Sequence, residues 1–337
     1  MIDFRSDTVT RPTKEMLEAM LNASVGDDVL GDDPTVNELE LLASRITGHP
    51  SALFLCSGTM GNQIAIRVHT SPGDEIIVED DSHIFQYEAG GAAWNSSVQL
   101  KTIEGNFGII NIDEISNSIR EDDIHLPRTS LICLENTHNN SGGVIIPIDY
   151  IKSVSELAKS KKIKTHLDGA RIFNASIASG ISVSDYAENF DSMMFCLSKG
   201  LASPIGSILV GDEEFIKKAR RVRKVFGGGW RQAGYLAACG IISLTKMVDR
   251  LKEDHEKARL FADQLSELEE ISFSIETVQT NMIYFKINSI SIVDFFKRIT
   301  ERNLLALGHG DKIRFVFHKD VSFEDVEKAI EIIKDIV

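Results

Sequence analysis

The run Met193-Met194-Phe195-Cys196-Leu197 ends on Ser198-Lys199-Gly200, an apolar stretch closed by a cation and a glycine. Such a stretch, with no polar alternation, predicts a strand buried on both faces, as in a parallel sheet covered by helices. Burying a lysine at its end is costly unless the amine is paired or used chemically. A desolvated amine is also a nucleophile that forms imines with carbonyl compounds. The plainer alternative is a lysine whose head group reaches water past a strand end.

Similar short runs recur outward from this one: Ala52–Leu55, Glu75–Val78, Ser130–Leu134, Ile163–Leu167 and Ser192–Leu197. Helical patterns separate them, at Gly61–His69, Ile148–Lys161 and Val183–Asn189. Strand–helix alternation predicts an α/β domain with a mixed, mostly parallel sheet and helices on both faces. Further on, Ile241–Leu268 reads as one long amphipathic helix or two. Strand Met282–Ile287, helix Ile292–Arg302, strand Ile313–Phe317 and helix Glu324–Ile336 then follow. The expected organisation is a large domain over residues 1–245 and a smaller α+β domain over 246–337. Residues 1–20 are free to pack with either.

The bulk numbers narrow the function classes. Hydrophobic residues make up 43% of 337, enough for a large core, and the formal net charge is -14. An acidic surface repels polyanions, so no nucleic-acid partner is expected. No apolar run reaches the roughly 18 residues a membrane helix needs, and Met1–Pro12 lacks the apolar core of a signal peptide. The four cysteines are scattered with no CxxC pair, so neither a disulfide framework nor a metal centre is expected. A cytoplasmic protein acting on a small molecule is the expectation.

In an open α/β sheet, ligands bind beyond the carboxyl ends of the strands. Besides Lys199, three features fall at such ends. Ser57-Gly58-Thr59 follows a strand and opens a helix, where unpaired N–H groups and two hydroxyls would hold an anion. His166-Leu167-Asp168-Gly169-Ala170-Arg171 places a carboxylate at a strand end and a guanidinium three residues on. Asp168 suits a protonated pyridine nitrogen, and Arg171 a substrate carboxylate. His83 follows the strand Glu75–Val78 and could stack on a flat ring or move protons. Each has an ordinary structural reading: a helix cap, an ion pair closing a turn, a hydrogen-bonding histidine. Together with an imine-forming lysine they are the separate needs of bound pyridoxal 5′-phosphate (PLP).

Longer motifs carry a family likeness: Arg5–Thr10 (RSDTVT), Val25–Val29 (VGDDV), Asp33-Pro34-Thr35, Glu135–Asn139 (ENTHN), His166–Asn174 (HLDGARIFN), Cys196–Leu201 (CLSKGL) and Gly227–Gln232 (GGGWRQ). In these the chain resembles the threonine aldolases, PLP enzymes of the aspartate aminotransferase-like fold type I. The resemblance implies retro-aldol cleavage of L-threonine or L-allo-threonine to glycine and an aldehyde, with β-elimination or transamination as the alternative chemistry. It implies that Lys199 carries PLP, Asp168 faces its ring nitrogen, His83 stacks on the ring, and Ser57, Gly58 and Thr59 hold the phosphate. Ser6, Arg171 and Arg314 match the groups that hold the substrate carboxylate. His125 matches a second active-site histidine; it and His83 are both candidate bases, with His125 slightly favoured because a stacked His83 has less freedom to reach the hydroxyl. Lys224 and Arg231 match basic residues reaching in from a neighbouring subunit of a homotetramer. The chain departs from the family pattern at Leu30, where an aromatic residue is usual, and at Phe317; both are expected to bear on the shape of the pocket.

Overall fold

A computed structural model describes residues 1–337. Five strands form where the apolar runs predicted them: Ser51–Leu55, Glu75–Glu79, Thr129–Glu135, Lys164–Asp168 and Ser192–Cys196. Two more, Gln99–Ile103 and Ser207–Gly211, complete a seven-stranded sheet. Its order is Ser51–Leu55, Ser207–Gly211, Ser192–Cys196, Lys164–Asp168, Thr129–Glu135, Glu75–Glu79, Gln99–Ile103. Only Ser207–Gly211 runs against its neighbours. The remaining six therefore share one direction, and all their carboxyl ends open on a single edge. Helices Gly58–His69 and Ile148–Lys161 are among those covering the sheet, which is why strands Glu75–Glu79, Thr129–Glu135 and Ser192–Cys196 are buried on both faces.

The helical stretch after residue 233 divides into Gly234–Lys246 and Leu251–Leu265. The second belongs with a four-stranded antiparallel sheet, ordered Ile271–Ser272, Met282–Ile287, Lys312–Val316, Leu307–His309, and with helices Ile292–Glu301 and Phe323–Lys334. These elements enclose an apolar core separate from that of the large sheet.

The amino-terminal segment ties the two cores together. Ile2–Asp3 pairs in parallel with Leu304–Leu305. Phe4 lies fully inside the smaller core, stacked on Phe315 with ring centroids 4.7 Å apart. Burying a phenylalanine this completely contributes roughly 2–3 kcal/mol. Ten residues later, helix Lys14–Asn22 buries Met16 in the larger core. The chain thus crosses from one core to the other between residues 4 and 16, and on the way it passes the carboxyl edge of the large sheet. Phe317 faces Phe4 in the smaller core and is buried, away from the pocket its position suggested. Leu30 is 75% exposed. No helix is long and apolar enough to cross a membrane.

Candidate active site

A cleft of about 360 Å³ opens where the carboxyl edge of the large sheet meets the smaller unit. Ser6, His83, Arg171 and Lys199 line it from one side, and Tyr284 and Arg314 from the other. Lys199 sits three residues beyond strand Ser192–Cys196, and its carbonyl accepts from Thr10 Oγ1 at 2.9 Å. That bond fixes the crossing amino-terminal segment to the lysine turn.

Arg171 is the most constrained group here. Its Nε and one terminal nitrogen donate to Asp7 Oδ2 and Oδ1 at 2.7 and 2.6 Å, a bidentate pair with both partners buried. Burial works against the Asp7 charge, but the Arg171 guanidinium beside it, with Lys199 further off, holds the carboxyl well below the usual carboxylate range. The other terminal nitrogen of Arg171 reaches Asn139 Oδ1 at 3.4 Å. Arg314 donates to the same oxygen at 3.2 Å. Two guanidinium groups thus converge on one amide oxygen, as they would on a carboxylate. Ser6 caps the short turn Asp7–Val9 and presents its hydroxyl to the same cleft.

Behind the lysine, Asp168 ends its strand with 2% exposure. Asn62 Nδ2 donates to its Oδ2 at 2.7 Å, and the Ala170 N–H to its Oδ1 at 3.0 Å. Both partners are neutral, so the carboxylate keeps its charge for another group. Helix Gly58–His69 starts beside it, with Ser57 as its cap, accepting from the Met60 N–H at 3.2 Å. A Cβ on Gly58 would stand 2.8 Å from Cys196 Sγ, so only glycine lets this helix start come so near the strand that leads to Lys199.

His83 places its ring at the cleft, with Nδ1 3.0 Å from Glu88 Oε1. Burial would lower its pKa, but the Glu88 hydrogen bond and the charges of Asp168 and Glu135 outweigh that and raise it. Burial, reinforced by the Asp168 charge, pushes the Glu88 carboxyl up, against the hydrogen bonds from His83, Asn62 and Gln63. All three partners can donate, and a set of donors suits the ionised carboxylate. Ligand atoms of His83, Glu88 and Asp168 lie within 4.8 Å of one another, a spacing a metal ion would accept. Glu88 and Asp168 already accept from Asn62 and Gln63, and Nδ1 of His83 is engaged with Glu88, so the three form a hydrogen-bonded unit.

Comparison with known proteins agrees with this geometry. A family model described as "Beta-eliminating lyase" matches residues 3–288. Low-specificity L-threonine aldolase 1 of Arabidopsis thaliana is 43% identical over 337 residues, covering 98% of this chain and 94% of that protein. The low specificity L-threonine aldolase of Escherichia coli K12 is 43% identical over 330 residues, covering 98% and 97%. The chain belongs to the low-specificity L-threonine aldolase family. Among solved structures, a threonine aldolase from Leishmania major superposes with a TM-score of 0.84 at 17% identity, over 100% of this chain and 99% of that one, a likeness of fold.

Not every residue that the threonine aldolase likeness singled out comes to the cleft. His125 lies four residues ahead of strand Thr129–Glu135, hence at the opposite edge of the sheet from Lys199. Its side chain is 82% exposed and its Nδ1 contacts Asp123 at 2.7 Å. Within one chain, His83 and His309 line the cleft with Lys199, and His125 does not. Lys224 lines a separate cavity with Asp28 and Gly229, and Arg231 pairs with Asp27 at 2.8 Å. Conversely, Asp7, Asn62, Glu88 and Asn139 hold the site's charged groups and were not singled out from sequence. Asp7, Asn62 and Asn139 stood in or beside the quoted motifs; nothing local marked Glu88.

Proposed function

We propose that this chain uses PLP to cleave β-hydroxy-α-amino acids of the threonine type into glycine and an aldehyde. One observation carries the reading: the Lys199 amine and the guanidinium groups of Arg171 and Arg314 meet in one cleft, backed by the buried Asp168. The names of the relatives, at 43% identity, support the same substrate class.

The residues present fit the cofactor. The start of helix Gly58–His69, with Ser57 and Thr59, offers donors to a phosphate, and Gly58 lets that helix start pack against Cys196 on the strand that leads to Lys199. Asp168 keeps an unneutralised charge for a ring nitrogen, and His83 offers a ring face. When bound, PLP supplies the electron sink that lets a Cα–Cβ bond break. Lys199 anchors it through its amine. Ser6, Arg171 and Arg314 hold the substrate carboxylate and so set the angle of the Cα–Cβ bond. With Nδ1–H donated to Glu88, Nε2 of His83 is left as the acceptor for the β-hydroxyl proton, directly or through water. The test is product analysis of purified protein on L-threonine and L-allo-threonine, with Lys199→Ala as control. Acetaldehyde and glycine in equal amounts support the reading.

A second reading, β-elimination, draws on the description of the matching family model. It would release ammonia and an oxo acid in place of glycine, and the same assay separates the two.

We further propose a homotetramer with shared sites, in which Lys224 and Arg231 serve a neighbour's cofactor phosphate. The exposed apolar side chains around them, Val29, Leu30, Val225 and Tyr235, support a subunit contact. The two separate cores support a two-domain chain divided near residues 245/246, with Met247 and Leu251 still in the larger core, and four unpaired cysteine thiols support a cytoplasmic location.

A further inference from the structure

Behind Asp168 runs a line of polar groups, Asn62, His166 and Ser192 buried and His69 half-buried, that the cleavage chemistry does not use. Asn62 Nδ2 donates to Asp168 Oδ2 and to Glu88 Oε1, both at 2.7 Å. On its other side, Asn62 Oδ1 lies 3.0 Å from His166 Nε2. His166 Nδ1 lies 2.9 Å from Ser192 Oγ, and Ser192 Oγ lies 2.8 Å from His69 Nε2. The line runs along one face of the sheet beneath helix Gly58–His69, which carries both Asn62 and His69, and ends at a cavity of about 660 Å³ that His69 helps to line, together with residues ahead of strand Thr129–Glu135.

The protons in this line have one consistent placement. Two carboxylates flank one end of the Asn62 amide, so its NH2 must face them; turned over, its oxygen would meet both negative charges. Asn62 Oδ1 can then only accept, and His166 must donate from Nε2. Burial drives His166 down to about 4 and His69 down to about 3, so both rings are neutral near pH 7. A neutral His166 protonated on Nε2 must accept at Nδ1, which makes Ser192 the donor there. The Ser192 oxygen is left to accept from the Nε2–H of His69. His69 is stacked on Phe215, with ring centroids 4.6 Å apart, and the charges facing it are Asp191, Lys164 and Lys218.

We propose that His69, Ser192, His166 and Asn62 form a one-way hydrogen-bond chain that ends on Asp168, with the second Asn62 N–H on Glu88, and that they are positioning residues holding Asp168 ionised against the cofactor's ring nitrogen. The proposal rests on the reading that Asp168 faces that nitrogen. Each donor in such a chain polarises the next, so the last N–H, that of Asn62, is a stronger donor than an isolated amide. A stronger donor favours carboxylate over carboxyl, and the shared proton then resides on the ring. Because every link is neutral, the ionised Asp168 is stabilised without a cation that would cancel its field.

Two measurements test this. Nitrogen-15 NMR of the ring nitrogens at neutral pH should show His166 and His69 uncharged and protonated on Nε2; a charged ring, or His166 protonated on Nδ1, overturns the chain. In the cofactor-loaded enzyme, His69→Phe keeps the stack on Phe215 and removes the donor, and Ser192→Ala cuts the middle. Both should raise the pH midpoint of the bound cofactor's visible absorbance change by about 0.5 unit. Both should also lower kcat about 3- to 10-fold with KM little changed. His69→Gln, which returns an N–H, should restore both values. Variants that bind cofactor with an unmoved midpoint overturn the proposal. A wild-type protein that shows no visible band on loading overturns the cofactor reading instead, and the NMR tautomers still decide the chain.

Discussion

Asp7 grips Arg171 with both carboxylate oxygens, at 2.6 and 2.7 Å, across 164 residues of sequence. The pair joins the crossing amino-terminal segment to the turn after strand Lys164–Asp168, and it leaves one terminal nitrogen of the guanidinium turned to the cleft. Asp7→Ala should therefore do two things at once. Leaving Arg171 buried without its partner should destabilise the fold by about 3–5 kcal/mol. The arginine, no longer held, should bind the substrate carboxylate less well and raise KM. Urea denaturation and initial rates measure the two effects separately.

The same pair sets an acid limit on stability. The Asp7 carboxyl protonates at lower pH in the folded chain than in the unfolded one, so its stabilisation is fully present above the ordinary carboxyl range. As pH falls below about 4, the unfolded chain takes up the proton first and the contribution shrinks. Melting temperature should fall across that window, and Asp7→Asn should flatten this part of the curve.

Glu88 should govern the acid limb of the rate. The neutral form of His83 is the one that accepts a proton, and its pKa, raised by the Glu88 hydrogen bond and the charges of Asp168 and Glu135, moves the acid loss of activity upward from the ordinary histidine value. Glu88→Gln removes the hydrogen-bonded carboxylate that raises it. The limb in kcat/KM should shift to lower pH, and kcat at the plateau should drop about 10-fold or more because the ring tautomer is no longer held. An unmoved limb would remove His83 as the base.

At Gly58 the expected effect falls on the cofactor. An added methyl would meet Cys196 Sγ at 2.8 Å and push the helix start off the strand. Gly58→Ala should cost about 1–3 kcal/mol of packing and weaken PLP binding, read by absorbance titration of the apoprotein.

Much of this architecture was legible because most strands that carry the site read as short apolar runs. Glu75–Glu79 and Ser192–Cys196 stood out in this way, and Lys199 followed from where the second one stops, whereas Lys164–Asp168 is buried yet carries Thr165 and His166 beside Leu167. Gln99–Ile103 did not stand out, since it is an edge strand with polar residues in it. Ser207–Gly211 was also missed: it is the strand that breaks the parallel order, and no helix precedes it to mark its place. The break between helices Gly234–Lys246 and Leu251–Leu265 falls at Met247–Arg250, which contains no proline or glycine. Asp7 and Glu88 illustrate a different gap. Their partners Arg171 and Asn62 lie 164 and 26 residues away, and pairing across the fold leaves no periodicity to read. His125 shows the converse, a motif position that one chain alone keeps at the far edge of the sheet.

The account stands on the covalent use of Lys199. Borohydride reduction of the PLP-loaded protein, followed by peptide mass spectrometry, should find the peptide containing Lys199 heavier by one reduced cofactor, with the visible absorbance lost. A Lys199 peptide of unchanged mass, in a protein that never acquires visible absorbance, would contradict it.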